Sequence, residues 1–118
     1  MLESIIRDFC TFLVGSSMSS INDIKPELEI ILQIAIAKIN PGLVYLFGSW
    51  ARGDARSNSD IDLAFKEINV DQWSDFVNEI EYDAPVLRNC DLVRMDKLQP
   101  ELMKHILDKG LIIFERKN

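Results

Sequence analysis

Two short apolar runs, LVYLF at Leu43–Phe47 and IDLAF at Ile61–Phe65, bracket the polar stretch GSWARGDARSNSD. Each run has the length of a strand and none of the spacing of a helix. In the second run the side chains alternate between faces. Ile61, Leu63 and Phe65 point one way, while Asp60, Asp62 and Ala64 point the other. The chain must therefore build a sheet with one buried face and put two carboxylates side by side on the opposite face. It must also leave the first strand abruptly at Gly48–Ser49.

The rest of the chain supplies helices for that sheet. Leu2, Ile5, Ile6, Phe9 and Leu13 lie at helical spacing, and the small, polar stretch Val14–Ser20 reads as a loop. A second helix is expected to open near Asp23–Pro26 and to stop at Asn40–Pro41–Gly42. Its stripe of Leu28, Ile31, Leu32, Ala35 and Ile39 suits burial against the sheet. Ile30, Ile34, Ile36 and Ala37 widen its apolar belt, a surplus that the N-terminal helix is expected to cover, the alternative being a partner or dimer surface.

Asp71–Glu81 is expected to be a helix with Trp73, Phe76, Val77 and Ile80 inward. Cys90–Met95 reads as a third strand. Leu98–Lys109 reads as a helix with Leu102, Ile106 and Leu107 inward, and Leu111–Phe114 as a last strand. The order α, α, β, β, α, β, α, β gives an α/β (α+β) class. It predicts a small mixed sheet of about four strands, with helices packed on one face and an extra N-terminal helix. The length of 118 residues suits one domain over 1–118, with 1–20 as a helical extension.

Composition narrows the function classes. The net charge of -6 disfavours a generic electrostatic binder of DNA or RNA, so no direct nucleic acid is expected. Cys10 and Cys90 form no CxxC or Cys/His cluster, which removes zinc and fits a reducing compartment. No apolar run reaches the roughly 18 residues of a membrane span, and no signal peptide is visible, so the expected location is the cytoplasm.

The chemistry concentrates in the interruption. Asp60 and Asp62 repel each other unless a cation lies between them. Paired hard oxygen donors suit Mg²⁺, which takes a few carboxylates and completes its shell with phosphates and water. On the third strand Asp91 shares a face with Asn89 and Val93, and it joins the cluster if the two strands are neighbours. Gly48 lets the backbone turn and approach a phosphate, and Ser49 offers a hydroxyl. Arg52 and Arg56 are cations within reach of a triphosphate. Each piece alone is commonplace: a GS turn, a solvated DxD edge, or arginines paired with Asp54. Trp50 is open between stacking and packing, Tyr45 reads as core, and His105 as a surface helix position.

Together these residues resemble the nucleotidyltransferase superfamily related to DNA polymerase beta. Its pattern is Gly-Ser, about ten residues, then Asp-x-Asp, with a third acid on a later strand. Here Gly48–Ser49 is followed by Trp50–Ser59 and then by Asp60–Ile61–Asp62. GSWARGDARSNSDIDL is most similar to the minimal nucleotidyltransferases, over about Leu43–Glu115.

The resemblance implies that Gly48 and Ser49 hold the β- and γ-phosphates of ATP, with Arg52, Arg56 and Ser59 in the nucleotide-binding set. It implies that Asp60, Asp62 and Asp91 bind two Mg²⁺ ions and form the catalytic set. Asp91 would also help to deprotonate the acceptor hydroxyl. It further implies an antitoxin that transfers AMP to a tyrosine of a HEPN-domain ribonuclease toxin, in a hetero-oligomer with it. The alternatives are neutralisation by complex formation alone, or transfer to a small molecule such as an aminoglycoside. The chain lacks length for an acceptor-binding domain, which weighs against the small molecule.

Overall fold

A computed structural model describes residues 20–117 of the chain. The expected N-terminal helix at Leu2–Leu13 lies outside the described residues. A short 3₁₀ turn, Ile21–Ile24, is held by a capping box in which Ser20 and Asp23 satisfy each other's backbone N–H groups. Helix α1, Lys25–Lys38, follows with proline in its first turn. It ends where Asn40 takes a left-handed φ of 43° and returns its N–H to Ala35.

The strands are β1 (Leu43–Phe47), β2 (Ile61–Lys66), β3 (Cys90–Arg94) and β4 (Leu111–Glu115). They form one mixed sheet in the order β3-β2-β1-β4. β1 runs antiparallel to both β2 and β4, whereas β2 and β3 run parallel. A parallel pair needs a crossover, and here the crossover carries a helix. That helix starts as a 3₁₀ turn at Val70–Gln72, continues as α3 (Trp73–Asn78), and widens to π geometry over Glu79–Asp83. The short helix α2 (Ser49–Arg52) follows β1, and α4 (Pro100–Lys109) connects β3 to β4.

The main core lies between the sheet and α1 with α3. Leu28, Ile31, Leu32, Ala35 and Ile39 are all fully buried, as their stripe predicts. They meet Ile61, Leu63 and Phe65 from β2, together with Val44, Leu46 and Ile113. Phe65 takes Phe76 edge-on at 5.2 Å and Trp73 at 5.7 Å, which seats α3 on β2.

The mixed sheet is therefore as expected, and its other face adds something to the one-sided picture. Tyr45, Phe47, Ala64, Met95 and Ile106 form a second, smaller cluster there, with Leu102 and Met103 packed against it. So α4 partly covers the face that carries the aspartates. Leu107, expected inward, is half exposed at 51%. Ile106 with Leu102 and Met103 defines the inner side of α4 instead, and Leu107 falls outside that arc.

Candidate active site

The strand register decides which acids meet. β2 and β3 pair with Asp62 directly opposite Asp91, and Ile61 opposite Cys90. Asp62 and Asp91 are thus side by side on neighbouring strands, and Asp60 lies two residues before Asp62 on the approach to β2. On the other side, β1 pairs Phe47 with Asp62. The residue after Phe47 is Gly48, so the turn and the carboxylates meet at one end of the sheet.

Gly48 makes this meeting possible. Its φ is 75°, in the left-handed region that glycine tolerates. A Cβ on Gly48 would collide with the Oδ2 atom of Asp62. The carboxylate therefore rests against bare backbone, where any other residue would displace it. Ser49 begins α2 and is half-buried beside it.

The electrostatics register this crowding. The Asp62 carboxyl is pushed from its ordinary 3.8 up to about 6, first by burial and then by the negative charges of Asp91 and Asp60. Arg52 partly opposes the rise. Arg52 itself is exposed and donates from Nε to Asp54 Oδ2 at 3.3 Å. Among the described residues, no three His, Cys, Asp or Glu side chains are gathered into a ready-made metal site.

The loop that separates Gly48–Ser49 from Asp60 is pinned from beneath. Trp50 is 2% exposed and donates from its indole to the Ser59 carbonyl at 3.0 Å. This resolves its open reading toward packing. The Ser59 hydroxyl accepts from the Arg56 backbone N–H at 2.8 Å, closing a turn. Arg56 is exposed in that turn, and Ala55 is buried below it.

Two residues that the sequence reading passed over complete the support. Glu27, on α1, is the one charged residue buried among those described, and it pairs with Arg88. Arg88 also donates from Nε to the Ser57 carbonyl at 2.7 Å and lies over the Trp50 ring at 5.5 Å. Glu27 and Arg88 are 61 positions apart and belong to no motif, so no local signal connects them.

Beside β3, on its helix side, a cleft of about 530 Å³ opens between Val77, Ile80, Cys90 and Leu92. The Cys90 thiol in its wall is pushed up to about 12, by burial first and then by Glu27, Asp60 and Asp62. It stays protonated and is a poor nucleophile at neutral pH. His105 is exposed on α4, as expected, and Tyr45 is buried. No helix among the described residues is long and apolar enough to cross a membrane.

A mixed sheet that ends in a Gly-Ser turn against strand-borne aspartates defines a nucleotidyltransferase fold. The polymerase beta nucleotidyltransferase family matches residues 29–118, and the chain belongs to that family and is a nucleotidyltransferase. It is 31% identical over 98 residues to a Methanocaldococcus jannaschii protein named as a protein adenylyltransferase, covering 80% of this chain and 98% of that one.

Among solved structures, it is similar to a nucleotidyltransferase from Sulfolobus solfataricus. There the identity is 26%, the TM-score 0.52, and the coverage 87% of this chain and 93% of the other. A chain of a toxin–antitoxin crystal structure with AMP-PNP shares the fold at TM-score 0.51 and 24% identity, covering 81% of this chain and 73% of that one.

Proposed function

We propose that the chain is a Mg²⁺-dependent protein adenylyltransferase that moves AMP from ATP to a hydroxyl of a toxin partner, a tyrosine of a HEPN-domain ribonuclease, and so silences it. The observation that carries this reading is the junction of Gly48 with Asp62, and of Asp62 with Asp91 in register. A phosphate cradle and a carboxylate clamp one residue apart in space serve one ligand that has both phosphates and a counter-cation. The relative named as a protein adenylyltransferase and the fold shared with a toxin–antitoxin chain support the choice of acceptor.

The donor set fits Mg²⁺. All three candidates, Asp60, Asp62 and Asp91, offer hard oxygens, and burial first, then the charges of Asp91 and Asp60, raise the proton affinity of Asp62. Mg²⁺ takes one or two carboxylates and fills its shell with phosphate and water. When bound, Mg²⁺ supplies charge neutralisation to the phosphates and lowers the cost of releasing pyrophosphate.

The protein's own residues do the positioning. Gly48 admits the phosphate chain close to the backbone, and the Ser49 hydroxyl donates to a β- or γ-phosphate oxygen. Arg52 and Arg56, exposed at the rim, reach the outer phosphates, with Ser59 holding the Arg56 turn in shape. Asp91, exposed on β3, accepts the proton of the acceptor hydroxyl. The acceptor oxygen then bonds to the α-phosphorus as the bond to the leaving pyrophosphate breaks. Such catalysis is mainly orientation and charge stabilisation.

The test uses the full chain, labelled ATP, Mg²⁺ and the toxin partner. Label on the partner, with a mass increase of one AMP or more on a tyrosine, is the expected result. Asp60→Ala and Asp62→Ala should each lower transfer at least about a hundredfold. Undiminished transfer by both variants sinks the assignment. Protection from the toxin without any transfer would favour neutralisation by binding alone.

A further inference from the structure

We propose that Arg88 is the positioning residue of this site, a clamp that fixes the Gly53–Asp60 loop relative to the phosphate turn. The inference rests on the transferase reading for its effect on rate, and on contacts alone for its effect on structure. Arg88 reaches three parts of the chain at once. Its guanidinium pairs with Glu27 of α1, donates to the Ser57 carbonyl at 2.7 Å, and covers the face of Trp50 at 5.5 Å. Its backbone N–H donates to the second Glu27 oxygen at 3.0 Å.

The geometry gives this arrangement a purpose. Trp50 follows the phosphate-facing Ser49 and holds the Ser59 carbonyl, next to Asp60. Ser57 and Ser59 are thus anchored two residues apart, one by Arg88 and one by the ring that Arg88 covers. The neighbour of Arg88, Asn89, accepts from the Ile61 N–H at 2.9 Å, where β2 begins. Arg88 is also three residues before Asp91. One side chain therefore sets the turn that receives phosphate, the approach to Asp60 and Asp62, and the strand that carries Asp91.

Its partner comes from outside the family match. That match starts at residue 29, and Glu27 precedes it. A planar guanidinium serves these partners together, which a lysine ammonium cannot do. A largely buried ion pair is weak evidence for stability, since apolar replacement of both partners is often neutral. Conformational specification is the role that its three contacts point to.

Removing one partner strands the other's charge, so the deciding variant replaces both: Glu27→Met with Arg88→Leu. The double variant is expected to keep the parent's melting temperature within a few degrees. Its kcat for transfer should fall about 10- to 100-fold, with the nucleotide KM changed less than about threefold. Hydrogen exchange of the backbone amides at 56–61 should accelerate at least about tenfold, while α1 and α3 keep their protection.

Arg88→Lys should leave kcat and loop exchange impaired. Parental kcat and parental loop exchange in the double variant overturn the proposal, as does full rescue by lysine. If the parent transfers no nucleotide, the functional reading fails, and the exchange rates at 56–61 decide the clamp by themselves.

Discussion

Gly48 and Asp62 are the pair on which the site turns. With φ at 75° and the Asp62 carboxylate where a Cβ would go, Gly48→Ala faces both backbone strain and a collision. Transfer is expected to fall at least about a hundredfold, with a stability loss of about 1–3 kcal/mol, read from rates and urea unfolding.

Asp62 gives a second prediction at this scale. Its folded pKa of about 6 exceeds the ordinary 3.8, so the folded chain binds a proton more tightly than the unfolded one. Stability must then fall as pH rises from about 4 to about 6 and stay lower above it. Asp62→Asn removes that loss. In metal-free buffer the variant should melt higher than the parent at pH 7 and level with it at pH 4. A parent as stable as the variant at pH 7 would refute the crowding.

The three acids and the Gly-Ser turn were legible because strand alternation and spacing are local. Their assembly was only conditional, since nothing local says that β3 lies beside β2 with Asp91 opposite Asp62. Glu27 and Arg88 were invisible because an ion pair 61 positions apart leaves no period and no motif.

Among the elements, α1 and β2 follow their patterns closely, α4 keeps its expected span but not all of its inner arc, and the helix between β2 and β3 departs from its pattern. The expected helix at Asp71–Glu81 becomes a 3₁₀ turn, a short α-helix and a π segment. Tertiary packing explains the difference. Phe65, Trp73 and Phe76 form one aromatic cluster with centroids 5.2–5.7 Å apart, and the backbone adapts around it. Phe76, fully buried there, should cost about 3–5 kcal/mol when changed to alanine. Leu107→Ser on α4 should change stability by no more than about 0.5 kcal/mol, because that side chain is half exposed. Denaturant midpoints of the two variants separate a seated residue from one that only looked seated in the sequence. For Leu107 the helical period left the centre of the inner arc uncertain by about one position, and the α4 contacts with Tyr45 and Phe47 fix it.

For the whole molecule, ligand binding and folding are one equilibrium. A nucleotide that occupies the site only in the folded chain raises stability by about 2.7 kcal/mol at a hundredfold excess over Kd. ATP with Mg²⁺ should therefore raise Tm by several degrees, and a chelator should reverse most of it. Neither ligand raising Tm in the parent, at concentrations that saturate related sites, would count against nucleotide binding. The same measurement on Asp60→Ala separates loss of the site from loss of the fold.

Among the described residues β3 is the outermost strand on its side of the sheet, and Asp91 is exposed at its second position. Strand borders left bare recruit copies of themselves, and a charge there discourages such stacking. Asp91 puts such a charge on this strand. Exchanging Asp91 for valine would remove that charge from the border and favour such stacking. A descendant of this chain without the proposed cation chemistry should therefore still keep a charged or otherwise awkward side chain at position 91.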